Sequence, residues 1–139
     1  ENRLSKVFWK REMLMSAMLL SIKPQYAKMI IEGTKKYEFR TRKCREDIKK
    51  IIFYATAPKS QVVGEAEIED VLVGPPNEIW KKTKHGSGIP ASFFREYYKN
   101  REIAVAYKLK NVKAYNEPKS LKDYGIEHVP QSFIYLKQP

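Results

Sequence analysis

Apolar positions fall into two kinds of run along this chain. Residues 19–22, apolar but for Ser21, and the continuously apolar residues 51–55 read as short strands covered on both faces. Residues 36–42, 62–73 and 102–112 alternate instead. Tyr37 and Phe39 then share one face, with Glu38 and Arg40 on the other. Glu65, Glu67 and Glu69 oppose Ala66 and Ile68, while Ile103, Val105, Tyr107 and Leu109 fall on one side of their strand. Residues 133–136 read as a last short strand. Helical spacing separates these runs. Pro24 suits a first helical position, Tyr26, Met29 and Ile30 recur at helical intervals, and Gly33 suits a left-handed cap. Pro75-Pro76-Asn77 opens a short helix carrying Ile79 and Trp80. Residues 90–100 form an aromatic helix with Phe94, Tyr97 and Tyr98 at i, i+3 and i+4, and residues 86–88 read as a flexible loop.

The order is strand, helix, three strands, two helices, two strands. It does not alternate strictly, which argues against a doubly wound parallel sheet. It predicts an α+β fold, a small barrel of about five to six strands with helices packed at its ends and side. The 139 residues fit one ordinary domain, and 42% hydrophobic content supports a core. Met18 is a natural-looking start, so the domain is expected over residues 18–139. Residues 1–17 are expected to be an N-terminal extension, the tail of an upstream domain or a cloning remnant. The longest apolar run, residues 13–20, is broken by Ser16 and too short to cross a bilayer, so no membrane partner is expected. Cys44 stands alone, so a reducing compartment, most simply the cytoplasm, is the default.

Charge brings in function. Twenty-seven Lys and Arg against sixteen Asp and Glu give +11, a balance that favours polyanions through counterion release. Residues 35–50 hold eight cationic and three acidic side chains. Lys35, Lys36, Arg40, Arg42, Lys43 and Arg45 lie there beside Tyr37 and Phe39, with Phe53 and Tyr54 close behind. Basic groups beside rings suit RNA or single-stranded nucleic acid. Phe39 and Phe53 read better as core, and Tyr54 stays open. Lys108 and Lys110 share a strand face and either extend a phosphate track or guard a sheet edge.

The strongest local signal is Gly33-Thr34-Lys35-Lys36-Tyr37-Glu38-Phe39-Arg40. Gly33 turns the backbone, Lys35 emerges at the loop, and Glu38 and Arg40 project together. Lys35 and Arg40 suit a phosphate, and Glu38 a nucleobase edge. The same residues also read as a surface ion-pair ladder. Together with Ser21-Ile22-Lys23-Pro24-Gln25-Tyr26-Ala27, this segment resembles the ASCH domain family of the PUA-like superfamily. That family is marked by G-x-K-x-x-E-x-R after the first helix, and all four marked positions match. Residues 118–121 and Pro130-Gln131-Ser132-Phe133 resemble its closing segment.

The resemblance implies a small β-barrel with a cleft near the first helix. Lys35, Glu38 and Arg40 would line it, with Gln131 and Ser132 nearby. It implies RNA or a modified nucleobase or nucleotide as ligand, in translation or transcription regulation. It also raises a rival, a small hydrolase acting on N4-acylcytidine or RNA through Lys35 and Glu38. For acylcytidine hydrolysis, Glu38 stands where a threonine is expected, and no glutamate occurs near His85-Gly86-Ser87-Gly88. A third reading is a protein-interaction module of a regulator. His85, His128 and Cys44 lack zinc-ligand spacing, so neither metal nor cofactor is expected.

Overall fold

The computed structural model describes residues 17–136. β1 (Ala17–Ile22) leads into α1 (Pro24–Glu32), then β2 (Tyr37–Arg40), β3 (Lys50–Ala55) and β4 (Gln61–Gly74). α2 (Pro76–Thr83), a 3-10 turn (Lys84–Gly86) and α3 (Ala91–Tyr97) follow. β5 (Ala104–Lys119), a second 3-10 turn (Leu121–Tyr124) and β6 (Phe133–Leu136) complete the order. The extension expected over residues 1–17 lies outside the described residues, except Ala17, the first residue of β1.

The strands form one sheet in the order β2-β5-β4-β3-β1-β6. β1 and β3 run parallel and every other pairing is antiparallel. The sheet curls into a half-barrel, as the strand lengths predict. Its edge strands, β2 and β6, are not hydrogen-bonded to each other and leave a seam.

Alternation divides the core between the two faces of the sheet. Met18, Leu20, Ile51, Phe53, Ala66, Val105, Tyr107 and Leu109 fill one cluster with Ala27 and Ile30 of α1. The other face of β2 and β5 presents Tyr37, Phe39, Ala104 and Ala106 to Ile79 of α2 and Phe94 of α3. Ala17, Leu19, Ile52, Tyr54, Val62 and Leu136 make a third cluster.

Three expectations are corrected here. Tyr54 belongs to this third cluster and is buried, so it offers no stacking face to a nucleic acid. The reason is that β3 is covered on both sides. Ile103 precedes β5 and is exposed, because the strand starts one residue later. Residues 86–88 are packed rather than flexible, with Gly86 and Ser87 buried.

The lysines of β5 face the acids of β4 across the sheet. Lys113 pairs with Glu65 and Lys110 with Glu67, and the Lys108 Nζ lies 2.7 Å from Glu69 Oε2. Lys108 is therefore paired with an acid, while Lys110 is exposed. Among the described residues no strand pairs with the outer edge of β5 beyond Leu109, so Lys110 stands where edge-guarding lysines do.

Candidate functional site: a basic cleft at the barrel seam

α1 ends at Gly33 in the left-handed conformation, φ 88°, where its N–H meets the Ile30 carbonyl. That turn sends Lys35 back toward the helix. Its side chain folds inward and is 2% exposed, rather than emerging at the loop. The Lys35 Nζ donates to the Ser87 carbonyl at 2.6 Å and lies 3.6 Å from Glu38 Oε1. The Tyr26 and Phe39 rings sit 5.3 and 5.1 Å from it. Gly88, φ 69°, lets the backbone cross the lysine stem: a Cβ there would meet Lys35 Cβ at 2.8 Å. Burial holds the Lys35 ammonium below its usual range, and the nearby Glu38 carboxylate offsets this only in part.

Glu38 projects from β2 on the same face as Arg40, as the alternation predicts. Its Oε2 accepts from Arg40 Nη2 at 2.7 Å and Nε at 3.1 Å, an arrangement that fixes the guanidinium plane. Arg40 then spans the seam. Its Nη2 donates to the Ser21 carbonyl at 2.8 Å, and its Nη1 lies 3.3 Å from Ser132 Oγ. Ser21 is itself tied to the closing segment, through Oγ to the Pro130 carbonyl and N–H to the Ser132 carbonyl. The Tyr98 hydroxyl donates to the Arg40 carbonyl at 2.8 Å and accepts from the Val105 N–H at 3.3 Å. Burial pushes its phenol well above the usual range. The Arg40 guanidinium is thus held by Glu38 and Ser21, and its carbonyl by Tyr98.

These residues line a cleft of about 560 Å³. Lys35, Glu38, Arg40, Gln131 and Ser132, all named from sequence, meet there. The sequence reading missed the walls: Tyr26, Phe93 and Tyr97. Phe93 and Tyr97 are 41% and 40% exposed, whereas Phe94 and Tyr98 beside them are buried. The signal was present as two aromatic pairs, each four residues apart, on adjacent faces of one helix about 100° from each other. Lys23, Lys35 and Arg40 outnumber Glu38, the one acidic residue lining the cleft, so it favours an anion.

The remaining sequence candidates lie outside the cleft. Lys36 is exposed and its stem packs near Gly86. Lys43 pairs with Glu46 at 2.8 Å. Arg42 and Arg45 are exposed along the loop after β2. Among the described residues no cluster of His, Cys, Asp or Glu could hold a metal ion, and no helix is long and apolar enough to cross a membrane.

A curled sheet plugged by its first helix, with a polar cleft at the seam, defines a PUA-like domain. The ASCH domain model matches residues 20–113, and the chain belongs to that family. It is 31% identical over 94 residues to an ASCH domain-containing ribonuclease of Zymomonas mobilis, covering 67% of this chain and 64% of that protein. It is 28% identical over 130 residues to the large ribosomal subunit protein uL22 of Ureaplasma parvum. That match covers 92% of this chain and 42% of the relative, so the chain spans less than half of that protein's length. The crystal structure of ASCH from Zymomonas mobilis is similar at a TM-score of 0.80 and 28% identity, covering 88% of each chain.

Proposed function

We propose that this domain binds RNA and takes one nucleotide into the seam cleft. The observation that carries the reading is the Arg40 guanidinium, oriented by Glu38 and set between aromatic walls. Its Nη1 edge and the Ser132 hydroxyl contact a phosphate or an acceptor on the base. Tyr26, Phe93 and Tyr97 supply stacking surface. Lys35 stays on the floor, committed to Ser87 and Glu38, and contributes charge rather than a free donor.

Titration of the protein with a labelled single-stranded RNA at several salt concentrations tests this. Affinity falls as salt rises, and Arg40→Lys, which keeps the charge but loses the fork, weakens binding at least tenfold. Affinity independent of salt, or untouched by Arg40→Lys, overturns the reading.

A second reading is RNA cleavage in the same cleft. It is favoured by the buried Lys35 ammonium, drawn toward its neutral form, and by the ribonuclease relative. Neutral Lys35 would accept the proton of a ribose 2′-hydroxyl as that oxygen attacks the adjacent phosphorus, and the 5′-oxygen would leave with a proton from solvent water, giving a 2′,3′-cyclic phosphate. Incubation with RNA and with the same strand carrying 2′-deoxy sugars separates the two. Cleavage confined to the ribose strand and lost in Lys35→Met supports turnover.

A further inference from the structure

We infer that the strand continues out of the cleft along the seam, over two guanidinium–aromatic pairs, so that the ligand is a single strand of at least three nucleotides. This rests on the cleft reading and adds the direction and length of the bound chain. The pairs lie in step with the cleft contacts. Arg40 meets Ser132; two residues on, the Arg42 guanidinium lies over the Phe133 ring at 5.1 Å; three further on, that of Arg45 lies over Tyr135 at 4.1 Å. The Phe133 and Tyr135 rings are themselves 5.6 Å apart. At about 3.3 Å of rise per residue, β6 carries this row roughly 10 Å from Ser132, room for about two further bases.

The loop that bears the two arginines has no regular secondary structure, yet its backbone is pinned. The Tyr107 hydroxyl accepts the Cys44 N–H and donates to the Arg42 carbonyl, each at 2.8 Å. The Tyr135 hydroxyl accepts the Arg45 N–H at 3.1 Å. Both guanidiniums are therefore ordered on one face by a ring and remain exposed on the other. Arg45 also touches Asp47 at 3.2 Å, which holds its edge and leaves its plane free. A flat, oriented cation of this kind contacts phosphate at its edge and a base on its open face. A duplex keeps its bases stacked on each other and cannot use those faces.

The test compares a mononucleotide, a hexanucleotide RNA and a 12-base-pair RNA duplex by competition against a labelled hexamer. Wild-type protein binds the hexamer at least tenfold tighter than the mononucleotide or the duplex. In the Arg42→Gln/Arg45→Gln variant the hexamer loses about tenfold and its salt slope falls by about 1.4, while mononucleotide binding is unchanged. Arg45→Lys, which keeps the charge without the plane, loses part of the same affinity. Lys81→Gln/Lys82→Gln, an equal loss of charge on α2, leaves the hexamer within twofold. If the two double variants behave alike, or the duplex competes as well as the hexamer, the track is wrong and mononucleotide binding still stands for the cleft. If neither mononucleotide nor hexamer binds the wild-type protein, the cleft reading falls and this inference falls with it.

Discussion

The Lys35 ammonium donates to the carbonyl of Ser87 at 2.6 Å, joining the turn after α1 to a glycine-flanked loop 52 residues away. The contact depends on Gly88, whose left-handed backbone lies against the lysine stem. Gly88→Ala adds a Cβ that strains φ and pushes on Lys35 at once. We expect a loss of about 2 kcal/mol or more in urea unfolding. Gly125→Ala has the same sign of φ and nothing within 4 Å, so it carries only the conformational cost, about 1 kcal/mol. Equal losses in the two variants would mean that Lys35 is not held by this loop.

The buried lysine also sets a pH dependence. Its folded-state value lies below the ordinary 10.5 because burial disfavours the charged form. Between the lowered value and 10.5 the unfolded chain binds more protons than the folded one. The Lys35 contribution to stability therefore rises with pH through that interval and is least favourable below it. The difference in unfolding free energy between wild type and Lys35→Met should climb between pH 7 and 10.5. Taking the difference removes the alkaline effects of Cys44, Tyr98 and Tyr107, which both proteins share. A flat difference curve would show that Lys35 keeps its proton as an exposed lysine does.

The motif around Lys35 was legible because its causes are local. A glycine cap ends the helix, and strand alternation places Glu38 beside Arg40 and away from Tyr37 and Phe39. Ser132 and Gln131 came from family resemblance alone; nothing within their own segment says that it lies across the seam from β2. The ion pair of Lys108 was hidden for the same reason. Its partner Glu69 is set by a register containing bulges, which depends on two strands rather than one. Tyr54 went astray because a continuous apolar run is buried on both faces, leaving no outward side for a ring. Phe93 and Tyr97 were missed since helical spacing marks two aromatic faces on α3 without saying which one meets the core.

Those two faces should separate stability from binding. Phe94 packs edge-on against Phe39 and Tyr98, with centroids at 5.1 and 4.8 Å, and is fully buried. Phe94→Ala should cost about 3–5 kcal/mol. Phe93 is its neighbour in sequence but lines the cleft, so Phe93→Ala should change stability by no more than about 0.5 kcal/mol. It should weaken single-stranded RNA binding by about 1–3 kcal/mol, the value of one stacked base. RNA affinity unchanged in Phe93→Ala would remove this helix from the binding surface.

Tyr107 offers a test of the pinned loop that needs no ligand. Its ring is buried in the main core while its hydroxyl serves two backbone groups, the Cys44 N–H and the Arg42 carbonyl. Tyr107→Phe keeps the packing and orphans both groups, so it should cost about 1–3 kcal/mol. Cys44 reports on the same loop. Its thiol is buried, and burial pushes it above its usual range, so at pH 8 it should react with a disulfide reagent far more slowly than in urea. In Tyr107→Phe that reaction should accelerate by more than the global loss of stability explains, because residues 42–45 open while the barrel stays folded. A thiol rate that tracks global stability alone would place the clamp elsewhere, and the order of the Arg42 and Arg45 guanidiniums would then need another source.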